Sequence, residues 1–272
     1  MNYVCALSIA GSDCSGGAGI QADLKTMSAL GVYAATAITA ITVQNTCGVT
    51  AVQAVAPAIV EGQIRAVMED IEPKAVKIGM VNDKATILAI SKALHYYCPA
   101  QLIVDPVMVA TSGSRLMQPD ALACFEQELL PMATLLTPNV PEAELLAGKA
   151  IDAPEAMEAA AQAILAKGCQ AVLIKGGHLK GATKADRLFT AEGNIANYQA
   201  ASVDTRNTHG TGCTLSSAIT ARLALGDSLI EAIRQAKEYL TEALRQGADV
   251  TIGHGHGPVN HFYQPQSLQI QP

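Results

Sequence analysis

The stretch Tyr3-Val4-Cys5-Ala6-Leu7-Ser8-Ile9-Ala10, running straight into Gly11-Ser12-Asp13-Cys14-Ser15-Gly16-Gly17-Ala18-Gly19, decides the fold class. A short apolar run that stops at a glycine-rich turn reads as a buried strand, and Ala18–Leu30 after it reads as a helix. Ala34–Val43, rich in Thr and Ile, is the next strand, and Thr50–Ala56 adds an extended segment before a helix at Ile59–Ile71. The rhythm continues with strand Ala75–Ile78, helix Lys84–Leu94, strand Leu102–Asp105, helix Pro119–Leu130 and strand Leu135–Thr137. Helices Glu142–Leu146 and Pro154–Lys167 then lead to strand Ala171–Lys175. Such alternation predicts an α/β fold, a mostly parallel sheet with helices on both faces.

Toward the C-terminal third the pattern changes. Asp186–Thr190, a Glu192-Gly193-Asn194 turn and Ile195–Ala201 predict a β-hairpin. Two helices follow, Thr211–Leu225 and Ser228–Gln246, separated by Gly226-Asp227, and the tail from Val250 reads as irregular. With no repeat and no low-complexity linker, residues 1–272 are expected to form one domain.

Composition narrows the function. The chain carries 18 Lys and Arg against 24 Asp and Glu, a net charge of −6 with no basic run, which argues against nucleic-acid or acidic-membrane partners. Half its residues are hydrophobic, yet no run approaches the roughly 18 needed to span a bilayer. The first apolar stretch is too short, and lacks the basic lead, for a signal peptide. Seven cysteines scattered singly, with no Cys-x-x-Cys pair, suit a reducing compartment. The expected location is the cytoplasm, and the expected partner is a small molecule.

In parallel α/β sheets, ligands bind beyond the carboxyl ends of the strands. Polar or glycine-rich segments sit at six such ends: Gly11-Ser12-Asp13, Gln44-Asn45, Gly79-Met80, Asp105-Pro106, Thr137-Pro138-Asn139 and Lys175-Gly176-Gly177. The first loop is neither a Walker A motif, since Gly17-Ala18 stands in place of Lys-Ser/Thr, nor a dinucleotide fingerprint. Its glycines allow a backbone to approach a ligand closely. His209-Gly210-Thr211-Gly212-Cys213 leads into an apolar helix, so unpaired N–H groups and the helix dipole can form an anion site. Cys213 at such a terminus is expected to have a lowered pKa and to accept a proton from an alcohol; the alternative is a buried structural cysteine. Asp105, Asn139 and Glu142 suit Mg²⁺ and nucleotide phosphates, or else a turn and a helix cap. Lys175 can neutralise phosphate charge. His254, His256 and His261 lack companions at ligand spacing and read as loop residues rather than a metal site.

Taken together, these segments resemble the ribokinase-like superfamily, and within it the hydroxymethylpyrimidine/phosphomethylpyrimidine kinases of thiamine biosynthesis. The likeness runs through Ala10–Asp23, Thr42–Asn45, Lys77–Met80, Val104–Gly113, Thr137–Asn139, Lys175–His178, His209–Cys213 and His256–His261. It implies a three-layer α/β/α sandwich, ATP as co-substrate, Mg²⁺, a homodimer, and phosphorylation of a hydroxymethylpyrimidine and then of its monophosphate. By the same likeness, Gly11, Asp23, Gln44, Met80 and Val107 hold the substrate, with Asp23 and Gln44 reading ring nitrogens and amine. Cys213, Lys175, Gly210, Thr211 and Gly212 are the implied catalytic group. Asn139, Lys175 and Thr208 are implied for nucleotide, Asp105 and Glu142 for metal, and residues 106–115 for a lid. Sugar-directed relatives have Asp where Cys213 stands, which points to the pyrimidine and pyridoxine branch. No cysteine occurs in Met108–Gly113, which favours pyrimidine over the alternative, a pyridoxine/pyridoxal kinase. A non-catalytic ligand-binding module is the weaker alternative, since binding alone does not require Asp105, Lys175 and Cys213 together.

Overall fold

The computed structural model of the protein describes residues 1–108, 117–118, 120–178 and 183–271. In chain order it begins β1 (Asn2–Tyr3), β2 (Cys5–Ser12), α1 (Gly19–Ala29), β3 (Tyr33–Asn45), β4 (Gly48–Ala54), α2 (Pro57–Asp70) and β5 (Ala75–Ile78). There follow α3 (Lys84–Tyr97), β6 (Leu102–Val104), α4 (Ala121–Glu128), β7 (Leu135–Leu136), α5 (Val140–Ala147), α6 (Ala156–Leu165) and β8 (Val172–Lys175). The last elements are β9 (Thr183–Thr190), β10 (Gly193–Ala201), α7 (Thr211–Ala224), α8 (Leu229–Gln246) and β11 (Ile270–Gln271).

Nine strands form one sheet in the order β10-β9-β8-β7-β6-β5-β2-β3-β4. The six from β8 to β3 are parallel, while β4 and the β9–β10 hairpin pair antiparallel at the two edges. Apolar residues on one face pack against α2 to α6, and those on the other against α1, α7 and α8. The result is the three-layer α/β/α sandwich that the resemblance implies. The chain leaves β2 for β3 on one side and returns to β5 on the other. The switch point therefore lies between the carboxyl ends of β2 and β5, where a ligand crevice is expected.

Local chemistry explains where elements differ from the sequence reading. Pro57 occupies the first turn of α2, so that helix starts two residues earlier than Ile59. Pro131 supplies no N–H and crowds the residue before it, so α4 ends at Glu128 and a 3₁₀ turn at Leu130–Met132 follows. The hairpin turns at Ala191-Glu192, with Thr190 opposite Gly193, one residue before the predicted centre. The tail is more ordered than expected. Ile270–Gln271 pairs with Asn2–Tyr3, and Gly257 accepts a hydrogen bond from the His209 N–H at 3.0 Å. Of the expected lid, residues 109–115 lie outside those described.

The tail also yields a pH prediction. His261 is 4 % exposed, with Nε2 3.1 Å from the Thr214 hydroxyl. Burial first, and Lys25 second, hold its pKa down from 6.5 to about 4. Between those values the unfolded chain binds a proton that the folded one refuses, so stability falls as pH drops through this window. The loss should reach about 3 kcal/mol. His261→Gln, followed by thermal melts from pH 7 to pH 4, is expected to flatten that slope.

Candidate active site

A cleft of ≈ 770 Å³ opens across the carboxyl ends of the parallel strands. At one end Met80, Ala40 and Val107 pack into a small apolar cluster suited to the faces of a flat ring. A Cβ on Gly11 would stand 2.9 Å from the Met80 sulfur, so a larger residue there would push that side chain aside. Gln44 lies beside this cluster, its side chain 3.1 Å from the Thr42 hydroxyl and 3.4 Å from His209 Nε2.

The Gly11–Gly19 loop is held by Asp13. Its carboxylate accepts the N–H groups of Ser15 (2.9 Å), Gly17 (3.2 Å) and Ala18 (2.8 Å), and it lies 2.8 Å from His209 Nε2. Burial raises its pKa, but hydrogen bonds from His209, Ser15 and Ala18 outweigh that and bring it down to about 2. A carboxylate that stays ionised requires His209 to carry its proton on Nε2 and donate to Asp13. Asp13 and His209 thereby lock the first loop to the last one, beside Gln44.

At the other end α7 begins at Gly210, whose φ of +77° lies in the left-handed region. No side chain caps this helix; the Thr211 N–H donates to the Thr208 carbonyl at 3.3 Å, which leaves those of Gly212 and Cys213 for an anion. A Cβ built on Gly212 would lie 3.5 Å from Lys175 Nζ and 3.6 Å from Asp105 Oδ2, which puts a cation over the open helix end. Lys175 bonds Asp105 at 2.8 Å. Asp105 also accepts from Thr137 and Ser216 at 3.1 Å and 3.2 Å. Burial opposes its charge, but Lys175 and then Lys77 prevail and hold its pKa below the ordinary value.

Asn139 and Glu142 form a reciprocal capping box on α5, with bonds of 2.9 Å and 2.8 Å. Burial, with Asp105 adding to it against Lys175, raises Glu142 to about 7. The helix-cap alternative is thus realised, while both residues still line the cleft beside Lys175 and Thr208. Among the described residues no three His, Cys, Asp or Glu side chains gather into a metal cage. The donor set fits a hydrated Mg²⁺ delivered with a nucleotide, because such an ion keeps water and phosphate ligands and takes only one or two carboxylates.

Two expectations are corrected. Cys213 does not have a lowered pKa: burial pushes its thiol up to about 11, and Lys77 and a Gly19 backbone hydrogen bond only partly offset this. Desolvation is the largest influence on this thiol. Asp23 is not placed to read a ring. It is fully buried outside the cleft lining, accepting from Lys77 Nζ at 2.6 Å and from the Ser8 and Ser217 hydroxyls at 2.5 Å each. Gly11, Gln44, Met80, Val107, Asp105, Asn139, Glu142, Lys175, Thr208 and Gly210 to Cys213 all line the one cleft.

Sequence reasoning gave no role to Asp13, His209, Ser217 or Lys77. For Lys77 the signal was present: a lysine in the middle of the apolar strand Ala75-Val76-Lys77-Ile78 has to be buried.

The profile of the phosphomethylpyrimidine kinase family matches residues 13–260. The chain belongs to that family. A hydroxymethylpyrimidine/phosphomethylpyrimidine kinase of Rhizobium meliloti is 55% identical over 260 residues, covering 95% of this chain and 97% of that protein. The crystal structure of a phosphomethylpyrimidine kinase from Clostridium difficile superposes with a TM-score of 0.79 at 47% identity, covering 89% of this chain and 99% of that one. An ADP complex of Bacillus subtilis pyridoxal kinase superposes with a TM-score of 0.87 at 35% identity, covering 96% and 98%. Backbone likeness therefore extends to both vitamin-kinase branches, while sequence identity favours the pyrimidine kinases among these three.

Proposed function

We propose that the protein transfers the γ-phosphoryl group of ATP first to 4-amino-5-hydroxymethyl-2-methylpyrimidine and then to its monophosphate, as a step of thiamine biosynthesis. The observation that carries this reading is the pairing of Lys175 with the uncapped start of α7 at one end of a cleft whose other end is the Met80–Val107 cluster beside Gln44. The ring lies against Met80 and Val107, over Gly11, and Gln44 hydrogen-bonds its polar edge. The triphosphate runs past Asn139 and Thr208 so that its terminal phosphate meets Lys175 and the N–H groups of Gly212 and Cys213. The substrate hydroxyl attacks in line, its proton passes to the Cys213 sulfur after that thiol has released its own proton to solvent, and the electron pair of the breaking bond leaves with ADP. Glu142 and Asp105 would hold Mg²⁺, which would neutralise charge on the phosphate oxygens when bound.

The same reading takes residues 1–272 as one kinase domain working as a homodimer, with no nucleic-acid or membrane partner. Seven free cysteines favour the cytoplasm. Among the described residues no helix is long and apolar enough to cross a membrane.

The test is a coupled ADP-release assay on hydroxymethylpyrimidine, its monophosphate and pyridoxal. The pyrimidines are expected to show the higher kcat/KM. A ratio favouring pyridoxal would establish the second reading, which the superposition on the pyridoxal kinase supports; no turnover with any of the three would leave a binding module. Cys213→Ala should lower kcat at least about 10²-fold, the ordinary worth of a general base, with pyrimidine KM little changed. Unchanged kcat would remove Cys213 as proton acceptor.

A further inference from the structure

Lys77 is one of the largest wholly buried side chains in the protein, at 0 % exposure, yet it forms part of the cleft wall. It projects from β5 at the switch point, and a Cβ on Gly79 would stand 3.2 Å from its Nζ. An ammonium carries three N–H donors. Among the described residues Lys77 spends one, on Asp23 at 2.6 Å. Asp23 also accepts from the Ser8 and Ser217 hydroxyls. Ser217 lies one turn after Cys213 on α7, so the ion pair sits directly beneath the Cys213 end of that helix.

A buried ammonium with unspent donors costs several kcal/mol unless something accepts them. The groups whose charges reach Lys77 are Asp23 from α1, then Cys213 from α7 and Asp105 after β6; Lys175 faces Cys213 and Asp105 from β8. Lys175 is committed to Asp105 and the phosphate end of the cleft.

We infer that Lys77 is a second catalytic cation, which donates its free N–H groups to the attacking oxygen of the substrate and to the Cys213 sulfur as that sulfur takes the proton. The inference rests on the phosphoryl transfer proposed above. Lys77 keeps all three of its protons throughout. The Cys213 thiol first gives its proton to solvent; the O–P bond then forms, the bond to ADP breaks, and the hydroxyl proton moves to the thiolate while Lys77 offsets the negative charge passing between the two atoms. Asp23, expected from sequence to touch the ring, is instead the anchor that keeps Lys77 charged in an otherwise apolar interior. Burial raises the Cys213 thiol, and Lys77 is the largest of the influences that pull it back down.

Lys77→Met alone strands Asp23 and should unfold easily. The informative protein is the double variant Asp23→Asn/Lys77→Met, which removes both charges and keeps a partner for Ser8 and Ser217. It should melt within a few degrees of the parent and bind hydroxymethylpyrimidine in calorimetry within about threefold, while kcat falls about 10²-fold, the usual worth of one donor at a developing anion. Iodoacetamide labelling of Cys213, followed by peptide mass spectrometry, should move to higher pH. A folded double variant with kcat within threefold of the parent and unmoved labelling would make the pair purely structural and overturn the inference. If Cys213→Ala proves fully active, the proton-acceptor reading fails by itself. Lys77 is then judged by adding the double change to that variant: a further loss of about 10²-fold retains it at the substrate oxygen, and no loss removes it.

Discussion

Lys175→Ala is expected to lower kcat about 10³-fold in single-turnover assays while pyrimidine binding stays within a few-fold of the parent, because it removes the cation standing over the start of α7. The transferring group gains charge on its equatorial oxygens, and Lys175 Nζ is the nearest atom to the position a Cβ would take on Gly212. The same change strands Asp105, which is 1 % exposed and pairs with Lys175 at 2.8 Å. Breaking a buried pair by removing one partner costs roughly 3–5 kcal/mol. The variant should therefore also melt well below the parent, at roughly 2–4 °C per kcal/mol for a chain of this size. Asp105→Asn/Lys175→Ala separates the two effects: its melting point should recover most of that loss while turnover stays low. A single variant that turned over normally would place phosphate charge elsewhere in the cleft.

Gly210→Ala should be the most damaging change that removes no functional group. Gly210 has a φ of +77°, where an L side chain costs about 1–2 kcal/mol. Its Cβ would also run into the Gly17 carbonyl oxygen and lie 3.2 Å from Ala18 Cα. Gly17 and Ala18 are the residues whose N–H groups Asp13 holds. Relief of the clash must therefore either push the first loop off Asp13 or tilt the start of α7 away from Lys175. Both routes open the anion site, and about 3 kcal/mol of stability together with a 10²-fold or greater fall in kcat/KM is the expected outcome, in the range of strained-backbone and donor losses. Gly226→Ala is the control: its φ of +97° carries the same backbone penalty, but no atom lies within 4 Å of the added Cβ. It should lower the melting point and leave kcat/KM alone. Equal kinetic damage at both positions would show that backbone strain, and not the Gly17 contact, governs the site.

Much of the candidate site was legible before any coordinates. Lys175, Asp105 and Gly210 to Cys213 could be singled out because each ends a strand or starts a helix in a parallel sheet, and those ends converge by topology. Asn139 and Glu142 carried two readings, and the capping box shows that a structural role and a place on the cleft wall coexist. The misreadings share one origin. Asp23 was given to the substrate by family likeness, but neither likeness nor position along a chain says which face of α1 meets β5. Its partners Lys77 and Ser217 stand 54 and 194 residues away in sequence. Cys213 looked activated because helix starts favour anions, yet the sequence carries no measure of how completely neighbouring segments exclude water.

Periodicity, turn residues and the order of apolar runs were by themselves enough for the α/β class, the parallel core of the sheet, the hairpin near residue 190 and the set of loops from which a site is built. These are local properties, fixed by backbone sterics and by a repeat of two or 3.6 residues. The tertiary structure alone decided which polar groups meet: that Asp13 and His209 join the first loop to the loop before α7, that Lys77 pairs with Asp23, and that burial raises the Cys213 thiol. Those outcomes depend on desolvation and on distances of a few ångströms between segments far apart in the chain, and both come into being only when the layers close on one another.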